Sequence, residues 1–234
     1  MKKSFAAFIV LLFAVTSPVF AQSKITEGKV TYSITLPDNL KGDDKMIANA
    51  MGKEQVIYFK GTRSRAETKS SMGEVVVLTN SEEKVFYTLM NLMGKKIAMK
   101  AEEGDMEMVR EMLGGDNGNK KSDKPEVKIT KETKKIAGYK CTKALVTYPD
   151  MNGEKMEGEV WFTDEVGFVN PREFKVKEIN GFPMEFTYGA RGIKIKMSCS
   201  GVEAMKVPDD KFVIPEDYTI QTMMEMMGGG IGFK

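Results

Sequence analysis

The side chains that most often perform acid–base and nucleophilic chemistry are scarce in this chain. Its 234 residues include two cysteines and no histidine. A Ser-His-Asp or Cys-His nucleophile is therefore excluded, and so is an imidazole metal ligand. Two thiols cannot form a four-cysteine zinc site. Paired carboxylates such as Glu82-Glu83 lie in polar stretches typical of solvated surface. We therefore expect a protein that is not an enzyme and that carries no cofactor.

Methionine is the residue whose abundance could serve a function, with 19 copies in the chain. Near the C-terminus, Met223, Met224, Met226 and Met227 place thioether sulfurs about one helical turn apart, and soft thioethers are ligands for copper(I). Two other interpretations compete with a copper site. Flexible methionines also fill gaps in ordinary cores, and they form adaptable apolar surfaces that repack around varied ligands.

The first 21 residues have the pattern of a secretory signal. Lys2 and Lys3 precede an apolar run over 5–15, and Ala21 ends a small-residue cleavage site. The run is too short to cross about 30 Å of hydrocarbon, so we expect no transmembrane anchor. Cleavage after Ala21 would send the protein to the periplasm or outside the cell. It would leave 35 − 2 = 33 basic residues against 33 acidic ones. A neutral chain gives no reason to expect nucleic acid as a partner.

Export would place Cys141 and Cys199 in an oxidising compartment. A bridge between them would close a loop of about 58 residues, which the chain-entropy description values at about 4 kcal/mol. Two buried free thiols are the alternative, because spacing along the sequence does not give the Cα separation that a bridge needs.

Alternation of apolar and polar residues predicts strands through most of the chain. Val30, Tyr32 and Ile34 alternate with polar neighbours, for example, as expected for a strand with one buried face. The connections are too short for parallel crossovers, which predicts an antiparallel meander. A hairpin at Asn180-Gly181 is predicted to join a strand over 174–179 to the strand that follows it. The other predicted strands span 28–36, 55–59, 62–69, 74–78, 84–90, 95–100, 126–136, 139–148, 155–163, 182–188 and 193–200.

Helical spacing of apolar residues is confined to three short segments, 43–51, 105–113 and 217–227. The fold class predicted is mainly β (α+β). A strongly curved antiparallel sheet would form an incomplete barrel, with two or three short helices covering its concave face. One domain is expected over 22–215, with a mobile loop at about 114–124. A C-terminal helix and a flexible glycine-rich tail are expected over 216–234.

Large apolar residues on the predicted strand faces and in the second helix are candidates for lining a ligand site. Ordinary core packing is the alternative for the same residues. The candidates are Tyr32, Phe86, Met106, Val109, Met112, Trp161, Phe182, Met184, Phe186 and Tyr188.

The segment 134–144, which reads KKIAGYKCTKA, and the following 160–164, which reads VWFTD, resemble the signature of a secreted Bacteroidetes-type family, the DUF4412 group. That group is similar to the GLPGLI-type proteins. The resemblance implies an exported protein with a LolA-like lipoprotein-carrier half-barrel, and it supplies no catalytic residues.

Together these patterns favour a non-catalytic periplasmic or exported protein that binds or carries a hydrophobic small molecule or lipid, such as an acyl chain, on the concave face of the sheet. The first alternative is a structural or envelope protein-interaction module whose core is simply filled, with an envelope protein as its partner. The second alternative is copper(I) binding at the C-terminal methionines.

Overall fold

The computed structural model describes residues 24–40, 42, 45, 51–71, 73–92, 94–102, 105, 125–149, 155–167, 176, 178–190 and 193–228. Within these residues, twelve strands and two short helices have defined bounds, and Gly42, Lys45 and Asp105 are also helical. The first six strands are β1 (Glu27–Thr35), β2 (Glu54–Lys60), β3 (Arg63–Ser70), β4 (Gly73–Asn80), β5 (Val85–Leu92) and β6 (Lys95–Glu102). The others are β7 (Glu126–Ile136), β8 (Tyr139–Pro149), β9 (Lys155–Thr163), β10 (Phe182–Ala190), β11 (Ile193–Ala204) and β12 (Thr219–Thr222). A 3-10 helix spans Asp209–Phe212, and α1 spans Met223–Gly228.

The described strands form one open, curled sheet in the order β12-β6-β5-β4-β3-β2-β1-β11-β10-β9-β8-β7. Two antiparallel meanders, β1 to β6 and β7 to β11, are joined where β1 pairs with β11. β12 is the exception, because it pairs in parallel with β6 at one edge. The structure confirms the mainly β class and the predicted antiparallel meander.

One predicted strand is wrong. Val176, Glu178 and Ile179 are not in a strand, and β10 pairs with β9 and β11 instead of with residues 174–179. Both hydrogen-bonding edges of β10 are therefore occupied. Val176 and Ile179 are instead buried against the sheet, with exposed fractions of 1% and 2%. Gly181 is needed for close packing, since a Cβ there would lie 2.6 Å from the ring of Phe162.

The predicted cover of two or three helices is also not supported. Of the segments 43–51 and 105–113, only Lys45, Met51 and Asp105 lie within the described residues. The predicted helix over 217–227 begins at Met223, because Thr219–Thr222 extends the sheet as β12. The β-branched residues of β12 favour a strand, and the edge of β6 offers unpaired backbone groups for it to pair with. α1 contacts β12 and β6, so it lies at the sheet edge.

The larger core lies on the face of the sheet that carries Val30, Tyr32 and Ile57, which we call the inner face. These three side chains are at most 2% exposed and belong to a cluster that reaches across to β8, β9, β10 and β11. Val166, Val176 and Ile179 from the connection between β9 and β10 complete this cluster. The connection therefore supplies cover over this half of the sheet.

A second core lies on the opposite, outer face of β4 to β6. Ala66 packs against the inner cluster and is paired with Val77, so alternation places Val76 and Leu78 on the outer face. Their cluster includes Leu89 and Ala98, and all four side chains are at most 4% exposed. Ile214 and Tyr218 pack over it from the chain that follows β11.

That chain, residues 205–218, crosses the outer face from β1 to β6 and is called here the C-terminal segment. The carboxylate of Glu27 accepts a hydrogen bond from the backbone N–H of Val207 at 2.8 Å. Asp209 pairs with Lys60 at 3.0 Å and with Arg63 at 2.5 Å. These contacts hold the segment against the sheet before it ends in β12.

Candidate functional site

The inner face of β4 to β6 is apolar but incompletely covered. Val77 pairs with Thr88, and Thr88 pairs with Met99, so these positions share a face with Ala66. Side chains two residues away along each strand point the same way. Six apolar side chains of this inner face are half-buried, namely Val75, Val77, Phe86, Met90, Ile97 and Met99.

This half-buried surface contrasts with the rest of the inner face. Val30, Phe59 and Val160 are fully buried there, with exposed fractions of 0%. The residue types are equally apolar in both halves, so the difference in exposure arises from how much of each half is covered by the rest of the chain. The inner face of β4 to β6 is therefore the part of the described sheet where an apolar ligand could gain contact without displacing a filled core.

A cavity of about 830 Å³ lies at the sheet end formed by the close of β1, the start of β2 and the turn from β3 to β4, and none of these six side chains is among its described lining residues. Drug-sized and cofactor pockets have similar volumes, about 300–1,000 Å³. Ser70 and Ser71 line the cavity at the β3–β4 turn, immediately before the strand that carries Val75. The remaining lining residues are Ile34, Thr35, Leu36, Pro37, Asp38, Leu40, Lys45, Gly52, Lys53 and Lys69.

Several of the ligand-lining candidates lie together in the filled core. The Tyr32 ring lies 6.2 Å from Phe182 and 6.0 Å from Phe186, centroid to centroid. Its hydroxyl donates a hydrogen bond to the backbone oxygen of Pro183 at 2.5 Å. Met184 is also fully buried. None of these side chains lines the cavity.

Trp161 lies apart from the other candidates, in a cationic surrounding. The Lys134 ammonium stands 4.2 Å above its ring centroid and the Lys143 ammonium 5.7 Å away. Glu185, paired with Trp161 across the strands, binds Lys134 at 2.9 Å and Lys196 at 3.3 Å. Partial burial alone would raise the pKa of Glu185, but the two ammonium groups lower it below its usual value. A carboxylate held ionised between cations is suited to fixing Trp161 in place.

The remaining candidates are placed as follows. Phe86 lies on the half-buried inner face. Met106, Val109 and Met112 lie outside the described residues, and so does the side chain of Tyr188. Their role in ligand binding stays a prediction.

Cys141 and Cys199 are free, buried thiols in the structure, and a bridge between them stays a prediction. Strands β9 and β10 lie between β8 and β11, so the two cysteines belong to strands that are not neighbours in the sheet. A bridge requires a Cα separation of about 4.4–6.8 Å. Burial raises the pKa of each thiol to about 11, so both stay protonated at neutral pH.

The C-terminal methionines are only partly described. Met223 is half-buried and Met224 is 58% exposed, while the side chains of Met226 and Met227 lie outside the described residues. Within the described part of the chain, no group of three or more acidic, cysteine or histidine side chains could hold a metal ion. Copper binding through thioethers stays a hypothesis.

The half-buried surface was missed at the sequence level except for Phe86. A signal for it exists in β4, where Val75, Val76, Val77 and Leu78 are apolar without alternation. Such a run indicates a strand with two apolar faces. The pattern does not say which face is covered by the chain itself and which remains open.

Comparison with known proteins shows similarity in fold only. No protein-family model matches this chain, and no curated protein matches it. A crystal structure of PNGF-II is similar over 87% of this chain, with 15% identity and a TM-score of 0.52. The chain spans 32% of the length of that PNGF-II chain, so the likeness concerns part of a larger molecule.

Two mycobacterial proteins are more distant. The lipoprotein LppX of Mycobacterium tuberculosis has 10% identity and a TM-score of 0.40, over 79% of this chain and 89% of LppX. LprF from Mycobacterium bovis has 11% identity and a TM-score of 0.33, over 82% of this chain and 90% of LprF. These scores are below the level that establishes a shared fold. Since no family model matches the chain, membership in the DUF4412 group stays a prediction.

Among the residues that the structure describes, no helix has the length and apolar character needed to cross a membrane.

Proposed function

We propose that this protein is a non-catalytic binding or carrier protein of the periplasm or cell exterior, and that it holds a hydrophobic ligand against the inner face of β4 to β6. The observation that carries this proposal is the half-buried apolar surface around Val77, Phe86 and Met99, together with a cavity of about 830 Å³ at the sheet end. Burial of this surface by an acyl chain would remove apolar area from water on both partners.

The energy available suits reversible binding. Burying twelve methylene groups contributes about 10 kcal/mol at about 0.8 kcal/mol each. The lost freedom of the ligand offsets several kcal/mol of this gain. We therefore expect dissociation constants near the micromolar range, which corresponds to about 8 kcal/mol. Affinity of this order permits a carrier to release its ligand.

The test is a titration with the neutral fluorescent probe N-phenyl-1-naphthylamine, together with native mass spectrometry of the purified protein. Met99→Gln should weaken probe binding about fivefold, because loss of apolar contact there costs about 1 kcal/mol. Met224→Gln makes the same chemical change at an exposed methionine of α1 and should leave binding unchanged. Equal binding by both variants would place the ligand elsewhere, and absence of probe binding and of co-purifying lipid would refute the proposal.

A second candidate function is a structural or envelope protein-interaction module. The observation that favours it is the filled inner core around Tyr32, Phe182 and Phe186. A module of this kind would bind neither the probe nor lipid. The same titration therefore separates the two candidates.

A further inference from the structure

The cavity at the sheet end combines apolar walls with positive charge. Ile34, Leu36 and Leu40 supply apolar side chains. Among its described lining residues, Lys45, Lys53 and Lys69 are basic and Asp38 is acidic. A purely apolar ligand would form no favourable interaction with these ammonium groups.

The local charge differs from that of the molecule as a whole. Outside the predicted signal, basic and acidic residues balance at 33 each. Several described lysines on the sheet form ion pairs with a neighbour, as Lys100 does with Glu102 at 2.8 Å and Lys143 with Glu159 at 2.8 Å. Lys45 and Lys53 have no ion pair within the described part of the chain. Lys69 has only a long contact of 3.8 Å with Glu74.

The backbone holds two of these lysines at one place. Gly52 has φ +74°, and a Cβ there would lie 2.4 Å from the backbone oxygen of Lys69. Only glycine permits this close approach, which brings the start of β2 against the end of β3. The carbonyl of Lys53 accepts a hydrogen bond from the Ile34 N–H at 2.8 Å, which ties the same residue to β1. The fold therefore fixes the backbones of Lys53 and Lys69 at the rim of the cavity, and alternation from Ala66 directs the Lys69 side chain to the outer face.

From this arrangement we infer that the ligand is an anionic amphiphile, whose carboxylate or phosphate group binds at Lys45 and Lys53 while its chain lies on the apolar walls and the inner face of β4 to β6. This inference rests on the proposed function and adds the chemical class of the ligand.

The test compares two ligands with the same twelve-carbon chain, dodecanoate and dodecanol, by displacement of N-phenyl-1-naphthylamine at pH 8 and low salt. We expect dodecanoate to bind at least about tenfold more tightly, with the preference falling at 0.5 M NaCl because salt screens exposed charges. Inorganic phosphate carries charge without a chain and should not displace the probe at 10 mM.

The double variant Lys45→Gln/Lys53→Gln should remove the preference for dodecanoate and leave the affinity for dodecanol unchanged. Its matched control is Lys128→Gln/Lys135→Gln, which removes two exposed lysines of β7 and should keep the preference. Equal binding of the two ligands by the native protein, or a preference that survives the cavity variant, would overturn the inference but not the binding function. Failure of both ligands to bind would overturn both.

Discussion

Tyr32 shows how a single side chain joins the two meanders. Its ring fills the inner core beside Phe182 and Phe186, and its hydroxyl satisfies the Pro183 carbonyl from two strands away. The alternation in β1 predicted a buried Tyr32 but could not name the acceptor, which is 151 residues distant. Long-range partners of this kind follow from the strand order and not from the local pattern.

Tyr32→Phe should keep the ring and leave the Pro183 carbonyl buried without its donor. We expect the free energy of unfolding to fall by about 1–3 kcal/mol, the usual cost of an unsatisfied buried polar group. Urea unfolding followed by circular dichroism measures this change. Tyr58→Phe is the control, since the Tyr58 ring keeps its contact with Lys211 on the outer face. Equal stability of the Tyr32 variant and the native protein would show that the hydrogen bond contributes nothing.

At the scale of elements, strand positions could be predicted and their partners could not. Alternation located β1, β7 and β9 closely, because one face of each strand must be buried. The parallel pairing of β12 with β6 was not predicted, since methionine spacing after Ile220 suggested a helix. The unpaired edge of β6 favours a strand over a helix at Thr219–Thr222. Such an edge exists only once the sheet has assembled, so the local sequence does not show it.

The C-terminal segment is the element that closes the outer core. Tyr218 packs over the cluster of Val76, Leu78 and Leu89. Tyr218→Ala should expose this apolar surface and lower the free energy of unfolding by about 2 kcal/mol, the value of burying one large side chain. Val213→Ala changes a neighbouring residue that is 61% exposed and should have little effect. Urea titration of both variants measures the difference. Equal losses in the free energy of unfolding would show that Tyr218 does not stabilise the outer core.

The attachment of this segment should depend on pH. The Val207 N–H and the Lys206 ammonium lower the pKa of Glu27 below 4.5, and Lys60 and Arg63 lower that of Asp209 below 3.8. Since both carboxyl pKa values are lower in the folded protein, their contribution to stability is present at neutral pH and is lost as pH falls through the depressed values. Glu27→Gln/Asp209→Asn should therefore be less stable than the native protein at pH 7, and the difference should shrink near pH 3. A difference that is the same at both pH values would contradict this assignment.

At the scale of the molecule, the two halves of the sheet differ in how completely their inner faces are buried. Inner-face residues of β1, β2 and β8 to β11 are buried with help from the connection between β9 and β10, whereas six apolar side chains on the inner face of β4 to β6 are half-buried. Composition could not show this difference, because Val30 and Val77 are the same residue type in similar strands. The candidate site therefore depends on how connections are distributed over the sheet, which alternation along each strand does not encode.

The filled half also determines the behaviour of the two cysteines. Cys141 and Cys199 are 0% and 5% exposed within strands of the inner cluster, and burial raises both thiol pKa values to about 11. Because thiolates are the reactive form, neither should react with Ellman's reagent at pH 8 in the folded protein, and two equivalents should react in denaturant. Their reaction at intermediate urea should follow unfolding of the whole sheet, since both lie inside one packed cluster. Rapid reaction of one thiol in the native protein would show that this half opens locally, and absence of reactive thiols in denaturant would show that the bridge forms.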